Sequence, residues 1–299
     1  MTDVYTLGAA LGVVASGRIR HDSEARLDVC GPEFTLAVGL ARLGHSVAYL
    51  GKVGADELGS RILSVLRGEG VDIADLRVDE HAITGLLVKE SRVGYPVLTS
   101  YYHAGSAGSR LTPGHVPIDR IGAARMLHLT GLSAALGPEV LEAMRAAVTA
   151  ARNAEVMVSF SVTYRPELWA SVREAEKVLG EFALASHLLF VNQDELDLVK
   201  PALTGEREVV VNRGAKGASV RADRIRYDVP MVQVPVVDVA GAEEAFCAGY
   251  ISGALDGLTP SERLRRATHL AAAATTAASE WQALPARADL RRFSPQKPL

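Results

Sequence analysis

Short runs of β-branched and aliphatic residues alternate along the chain with stretches of helical periodicity, and nothing else in the sequence limits the fold as tightly. The runs at 4–7, 47–50, 126–129, 156–160, 188–191 and 209–211 predict strands. Between them, Leu58, Ile62, Val65 and Leu66 recur on one helical face behind Asp56 as a cap, and Pro138 opens a second helix carrying Val140, Leu141, Met144 and Val148. Thr259-Pro260-Ser261-Glu262 combines a cap, a proline at the first helical position and a glutamate three residues after the cap. Repeated alternation of this kind predicts a mainly parallel sheet covered by helices on both faces. Two regions, at about 11–31 and 83–105, break the pattern with β-branched and aromatic residues and predict antiparallel strands of a small accessory sheet. A chain of 299 residues with 48% hydrophobic content can bury one large α/β unit, and no internal repeat or low-complexity linker divides it.

Charge and cysteine usage exclude several function classes. The net charge is −3 and the longest basic cluster is Arg263-Leu264-Arg265-Arg266, so no nucleic-acid surface is expected. Cys30 and Cys247 lack CxxC spacing, which argues against a disulfide framework or a zinc site and fits a reducing, cytoplasmic setting. The start, Met1-Thr2-Asp3-Val4, has neither the basic nor the apolar run of a signal peptide. No stretch reaches about 18 uninterrupted apolar residues, so no membrane span is expected, and the alanine-rich run at 270–278 reads as a packed helix.

One stretch carries chemistry. Asp238-Val239-Ala240-Gly241-Ala242-Glu243-Glu244-Ala245-Phe246-Cys247-Ala248-Gly249 sets small residues ahead of a helix, where backbone amides and the helix dipole can meet an anion. It resembles the C-terminal signature of ribokinase-like (PfkB) sugar kinases, Asp-Thr-Thr-Gly-Ala-Gly-Asp-x-Phe-x-x-Gly. Cys30-Gly31-Pro32-Glu33-Phe34-Thr35-Leu36-Ala37 is similar to that family's Gly-Gly-Ala-Glu-x-Asn-x-Ala, and Tyr101-Tyr102-His103-Ala104-Gly105-Ser106-Ala107 to the Tyr-Tyr-Arg-x-Gly-Ser-Ala of its 2-keto-3-deoxygluconate kinases. Ser161-Val162-Thr163-Tyr164-Arg165-Pro166 resembles their Asp-x-Asn-Tyr-Arg-Pro, with Trp169 following. Asn192-Gln193-Asp194-Glu195 keeps an Asn-x-x-Glu, and Asn212-Arg213-Gly214-Ala215-Lys216-Gly217 resembles a Lys-x-Gly-x-x-Gly turn.

The resemblance spans nearly the whole chain and implies a three-layer α/β/α sandwich with a mainly parallel central sheet, one domain over 1–299, and a small β-sheet lid at 11–31 and 83–105 that covers the sugar and joins a homodimer. It implies ATP and magnesium as cosubstrate and cofactor. It makes Gly31, Thr35, Tyr101, His103, Arg165 and Glu280 candidates for the sugar pocket, with Tyr101 and His103 alternating onto one face of a strand. Asn192, Asn212, Gly214 and Gly217 fall on the nucleotide side, and Glu195 in the magnesium and phosphate network. The amides of Gly241, Ala242 and Glu243 become the anion hole, Glu244 the catalytic base, and Arg165 a clamp for a carboxylate or a transferring phosphate.

Departures from the family pattern fall on polar positions: Thr35 for asparagine, His103 for arginine, Ser161 for aspartate, Thr163 for asparagine, Glu243 for glycine and Glu244 for aspartate. The early Gly-Glu-x-Leu is Gly8-Ala9-Ala10-Leu11, and the passage between Glu195 and Val209 is short of a helix. A carboxylate at Glu243 near a triphosphate costs roughly 1 to 4 kcal/mol at about 4 Å, unless the side chain points away. One extra methylene at Glu244 displaces the base, and a misplacement of about 1 Å can cost roughly a hundredfold in rate. Two readings stay open: a weakened ATP-dependent kinase of a sugar or sugar acid, and a catalytically silent pseudokinase that binds a ligand or partner.

Overall fold

A computed structural model describes residues 1–92, 95 and 97–292; three positions of the region 83–105, Val93, Gly94 and Pro96, lie outside the described residues. In chain order the strands are β1 (Val4–Leu7), β2 (Leu11–Ser16), β3 (Arg26–Cys30), β4 (Val47–Gly54), β5 (Leu76–Asp79), β6 (Leu86–Glu90), β7 (Leu98–Tyr102), β8 (Met126–Thr130), β9 (Met157–Ser161), β10 (Leu188–Asn192), β11 (Glu208–Asn212), β12 (Ala218–Ala222) and β13 (Ile225–Val229). Nine of them form the main sheet in the order β13-β12-β11-β10-β9-β8-β1-β4-β5. Every neighbouring pair from β11 through to β5 is parallel, and the β12–β13 hairpin adds an antiparallel edge.

Period-two alternation along the buried strands sends side chains to two separate cores. Leu188 and Phe190 pack with Phe34, Phe246, Tyr250 and Leu264 from the helices Pro32–Arg42, Ala242–Leu255 and Pro260–Ala274. Leu189 and Val191 face the other way, onto Met144 and Phe182 of the helices Pro138–Asn153 and Val172–Ala185. The result is a helix–sheet–helix sandwich, as the alternation of the sequence requires.

Helix starts follow the predicted caps. Asp56 Oδ1 accepts from the Gly59 amide at 2.8 Å, and Thr259 and Glu262 cap each other reciprocally, with the Thr259 amide 2.9 Å from Glu262 Oε2. Between Glu195 and Val209 the chain makes only a 3₁₀ passage, Leu196–Leu203, interrupted at Val199 and carrying Pro201.

The accessory sheet has the order β3-β2-β6-β7. Both hairpin pairs are antiparallel as expected, but β2 and β6 run parallel, from Gly12 beside Leu86 to Ser16 beside Glu90. The reason is the connection: β2 and β6 are separated by two helices and strands of the main sheet, a crossover long enough to return the chain in the same direction. Leu11, Val13, Cys30 and Leu87 form the inner face, while Leu27, Leu98 and Tyr102 stand on the other and are more than half exposed.

Candidate active site

A cleft of about 290 Å³ lies between the inner face of the accessory sheet and the carboxyl-terminal edge of the main one. This is the edge where open parallel sheets place their ligands. Its floor is the start of the helix Ala242–Leu255, and its walls include Gly31, Tyr101, Arg165 and Glu280.

Gly241 makes the floor possible. Its φ is +81°, and a Cβ there would lie 2.3 Å from the Glu280 carbonyl oxygen, so only glycine fits the turn. Asp238 shapes the same turn by accepting the Ala240 amide at 3.1 Å. The amides of Gly241, Glu243 and Glu244 then stand outside the intrahelical ladder at the positive end of a 14-residue helix.

The two glutamates at the helix start diverge. Glu243 is turned toward the end of β9, where its Oε1 accepts from Thr163 Oγ1 at 3.0 Å and Ser161 Oγ at 3.3 Å. Its Oε2 lies 3.6 Å from Arg165 Nη2, and Arg165 Nη1 donates to the Tyr164 carbonyl at 2.9 Å. The three departures at Ser161, Thr163 and Glu243 are therefore one cluster. Two hydroxyls stand where an aspartate and an asparagine were expected, and they receive a carboxylate from a position where glycine was expected. Burial works against the Arg165 charge, but Glu243 and Glu244 outweigh it and hold the guanidinium firmly protonated.

Glu244 lines the cleft as Glu243 does, but no side chain donates to its carboxylate among the described hydrogen bonds. Burial, then the charges of Glu243 and Glu280, push its carboxyl up to about 8. Glu280 is raised as well, by burial, with Lys89 opposing. Across the cleft Lys89, 6% exposed on β6, is ion-paired with Asp238 and fastens the accessory sheet to the turn that precedes the helix Ala242–Leu255. The indole of Trp281 adds a second tie, donating to Asp28 Oδ1 at 3.2 Å.

A second cavity of about 260 Å³ opens on the other side of the helix start, lined by Asn212, Gly214, Met231, Gln233, Ala242 and Thr275 among others. Val239 borders both cavities, so they meet beside Gly241 and Ala242. Asn212 Oδ1 accepts the Gly214 amide at 3.0 Å and fixes this rim.

Glu195 is buried and lines neither cavity; its two oxygens accept the amides of Tyr164 at 2.7 Å and Asn192 at 2.8 Å. It braces the loops after β9 and β10. Burial and Glu243 nonetheless raise it to about 7. Among the described residues no group of three His, Cys, Asp or Glu gathers to hold a metal ion. Magnesium needs no such cage when phosphates and water supply most of its ligands, so one carboxylate acting through water is a compatible donor.

Five predicted positions stand apart from the two cavities: Thr35, His103, Asn192, Glu195 and Gly217. Thr35 is buried on the helix Pro32–Arg42 with its Oγ1 unpartnered. β7 ends at Tyr102, so the expected alternation of Tyr101 and His103 stops before His103, whose half-buried ring has an unpartnered Nδ1. Gly217, at φ +91°, turns the chain into β12. Conversely, Lys89 and Glu167 line the cleft without having been singled out, as does Asp238, which opens the signature stretch but was given no role. The one available signal was Lys89 falling in phase with inward-facing Leu87.

Comparison with known proteins agrees with this geometry. The profile described as pfkB family carbohydrate kinase matches residues 11–287. The chain is 31% identical over 312 residues to 2-dehydro-3-deoxygluconokinase of Bacillus subtilis strain 168, covering 97% of this chain and 95% of that one. It is also 31% identical over 290 residues to fructokinase of Escherichia coli, covering 90% and 93%. The crystal structure of a PfkB protein from Polaromonas sp. JS666 superposes with a TM-score of 0.87 at 28% identity, over 97% of this chain and 99% of that one.

Proposed function

The chain belongs to the pfkB family of carbohydrate kinases, and from that premise we propose that it transfers the γ-phosphoryl group of ATP to a hydroxyl of a sugar or sugar acid. The acceptor occupies the cleft under the accessory sheet, which acts as the lid of a single ribokinase-like unit. The nucleotide occupies the neighbouring cavity beside Asn212 and Gly214. Gly217 and Asn192 shape the loops on that side, and Glu195 braces them through the amides of Tyr164 and Asn192, so that any part in a magnesium network would be an indirect one. Magnesium, when bound with ATP, supplies neutralisation of the phosphate charge.

The acceptor hydroxyl gives its proton to Glu244 as its oxygen bonds to the γ-phosphorus and the bond to the ADP oxygen breaks. The amides of Gly241, Glu243 and Glu244 receive the phosphoryl oxygens, because the Ala242 amide, expected among them, already donates to the Val239 carbonyl at 3.3 Å. One observation carries this reading over the silent one: Glu243 is held by Ser161, Thr163 and Arg165, whereas Glu244 lines the cleft with no side-chain donor on its carboxylate. The raised Glu244 carboxyl supports the weakened form of the reading, since the base is mostly protonated near pH 7. Exposed Leu27, Leu98 and Tyr102 on the outer lid face support a homodimer formed through it.

The test is a thermal-shift titration with magnesium-ATP followed by ADP release with a panel of sugars. Binding stabilises only the native state, so the melting temperature rises if the nucleotide site is intact. A rise together with sugar-dependent ADP supports the kinase; no rise at millimolar nucleotide supports the silent protein.

A further inference from the structure

We infer that the acceptor is a sugar without an acid group, because Glu243, 3.6 Å away, already counters the charge of the guanidinium that a substrate carboxylate would need. This rests on the phosphoryl-transfer reading and narrows its substrate class.

The charges around the cleft set the preference. Five carboxylates line it, at Glu167, Asp238, Glu243, Glu244 and Glu280, against two cations, Lys89 and Arg165. Both cations are already countered from within: Lys89 by Asp238, in a pair with under 10% of either side chain exposed, and Arg165 by Glu243 at 3.6 Å, with Nη1 donating to the Tyr164 carbonyl. A sugar acid entering this space meets Glu167 and Glu280 beside a Glu244 that is mostly protonated near pH 7, and gains an uncompensated cation only by displacing an internal carboxylate. An excess of carboxylates over cations along a cleft disfavours a ligand of the same sign.

A neutral sugar meets no such obstacle. Its hydroxyls donate to Glu244 and Glu280 and accept from Tyr101 and Thr99, which stand on the same inner face of β7. Glu243 is in this reading a specificity-determining residue. It supplies from within the chain the anion that a pocket for sugar acids would take from its substrate, and the hydroxyls of Ser161 and Thr163 hold it there.

The experiment compares fructose, as the neutral probe, with 2-dehydro-3-deoxygluconate, as the acidic one, in wild type and in Glu243→Gln, which keeps the side-chain size. Both the kcat/KM ratio and the ligand-induced melting shift are read. Wild type is expected to favour the neutral probe by about tenfold or more, equivalent to about 1.4 kcal/mol. Glu243→Gln is expected to move the ratio toward the acid by a similar factor, because Arg165 is then free to bind it. A wild type that favours the acid, or a ratio unmoved by Glu243→Gln, overturns the inference. If no variant turns over ATP, the kinase reading fails separately and the melting shifts decide. A larger shift with the neutral probe sustains the inference; equal shifts, or none with either at saturating millimolar sugar, overturn it.

Discussion

Exchanging the carboxylate between positions 161 and 243 is expected to show strong coupling, because the structure makes these departures a single unit. In Ser161→Asp alone, the new carboxylate faces Glu243, whose Oε1 lies 3.3 Å from the present Ser161 hydroxyl. Two such charges about 4 Å apart cost on the order of 4 kcal/mol at an effective dielectric of about 20. Protonation of one of them limits the penalty, so a destabilisation of about 2–4 kcal/mol is expected at pH 7. Glu243→Gly alone removes the acceptor of the Ser161 and Thr163 hydroxyls, at about 1.5–3 kcal/mol for bonds to a charged group, and adds a helical glycine at about 1 kcal/mol. In the double variant the carboxylate introduced at position 161 can take the Thr163 hydroxyl, which already lies 2.9 Å from Ser161 Oγ, and no opposing carboxylate remains. The double variant should therefore lose less than the two single losses summed, with a coupling energy of about 2–3 kcal/mol. Urea unfolding of the four proteins at low ionic strength measures it. Additivity within about 0.5 kcal/mol would show that the positions changed independently and refute the reasoning.

Gly241→Ala combines a positive φ with a Cβ 2.3 Å from the Glu280 carbonyl, so it should cost about 1–3 kcal/mol and abolish the ATP-induced melting shift. An unchanged melting temperature contradicts the assigned turn. The Glu244 carboxyl, raised to about 8, must be ionised to accept a proton, so kcat/KM should climb with pH up to about 8 rather than level off near 4.5. A flat profile from pH 6 to 9 removes Glu244 as the titrating base. Fully buried Glu33 is raised to about 7, with Oε1 held by Thr130 and Ser133 and Oε2 unpartnered. Since its folded value lies above the unfolded one, its contribution is whole below about pH 4.5 and is lost as pH rises through about 7, about 3 kcal/mol in all. Glu33→Gln should flatten that slope in urea melts at pH 5 and 8, and an unaltered slope counts against it. Tyr102→Glu on the outer lid face should turn a dimer into a monomer by light scattering, whereas a monomeric wild type discounts the lid interface.

The main sheet was legible because six of its strands are apolar runs bounded by helices, a pattern that survives without tertiary information. β12 and β13 were not, because their turn is Asp223-Arg224, both at positive φ, where Asn-Gly or Asp-Gly would have signalled a hairpin. β5 was missed for a different reason: Leu76–Asp79 is short, with two of its four residues exposed. At the site, Gly31, Tyr101, Arg165, Gly241, Glu244 and Glu280 converge on one cleft as their motifs suggested. The direction of Glu243 was not legible, since it depends on hydroxyls 80 and 82 residues away. Nor was the Lys89–Asp238 pair, which joins a lid strand to a turn across 149 residues.

Initial-rate ADP release in wild type and Glu244→Gln, with magnesium-ATP and a neutral sugar, tests the central claim most directly. Sugar-dependent release in wild type that falls by roughly 10²–10⁴ in Glu244→Gln is predicted, the span a positioned general base contributes. Equal rates in the two proteins, or no sugar-dependent release in wild type, would contradict it.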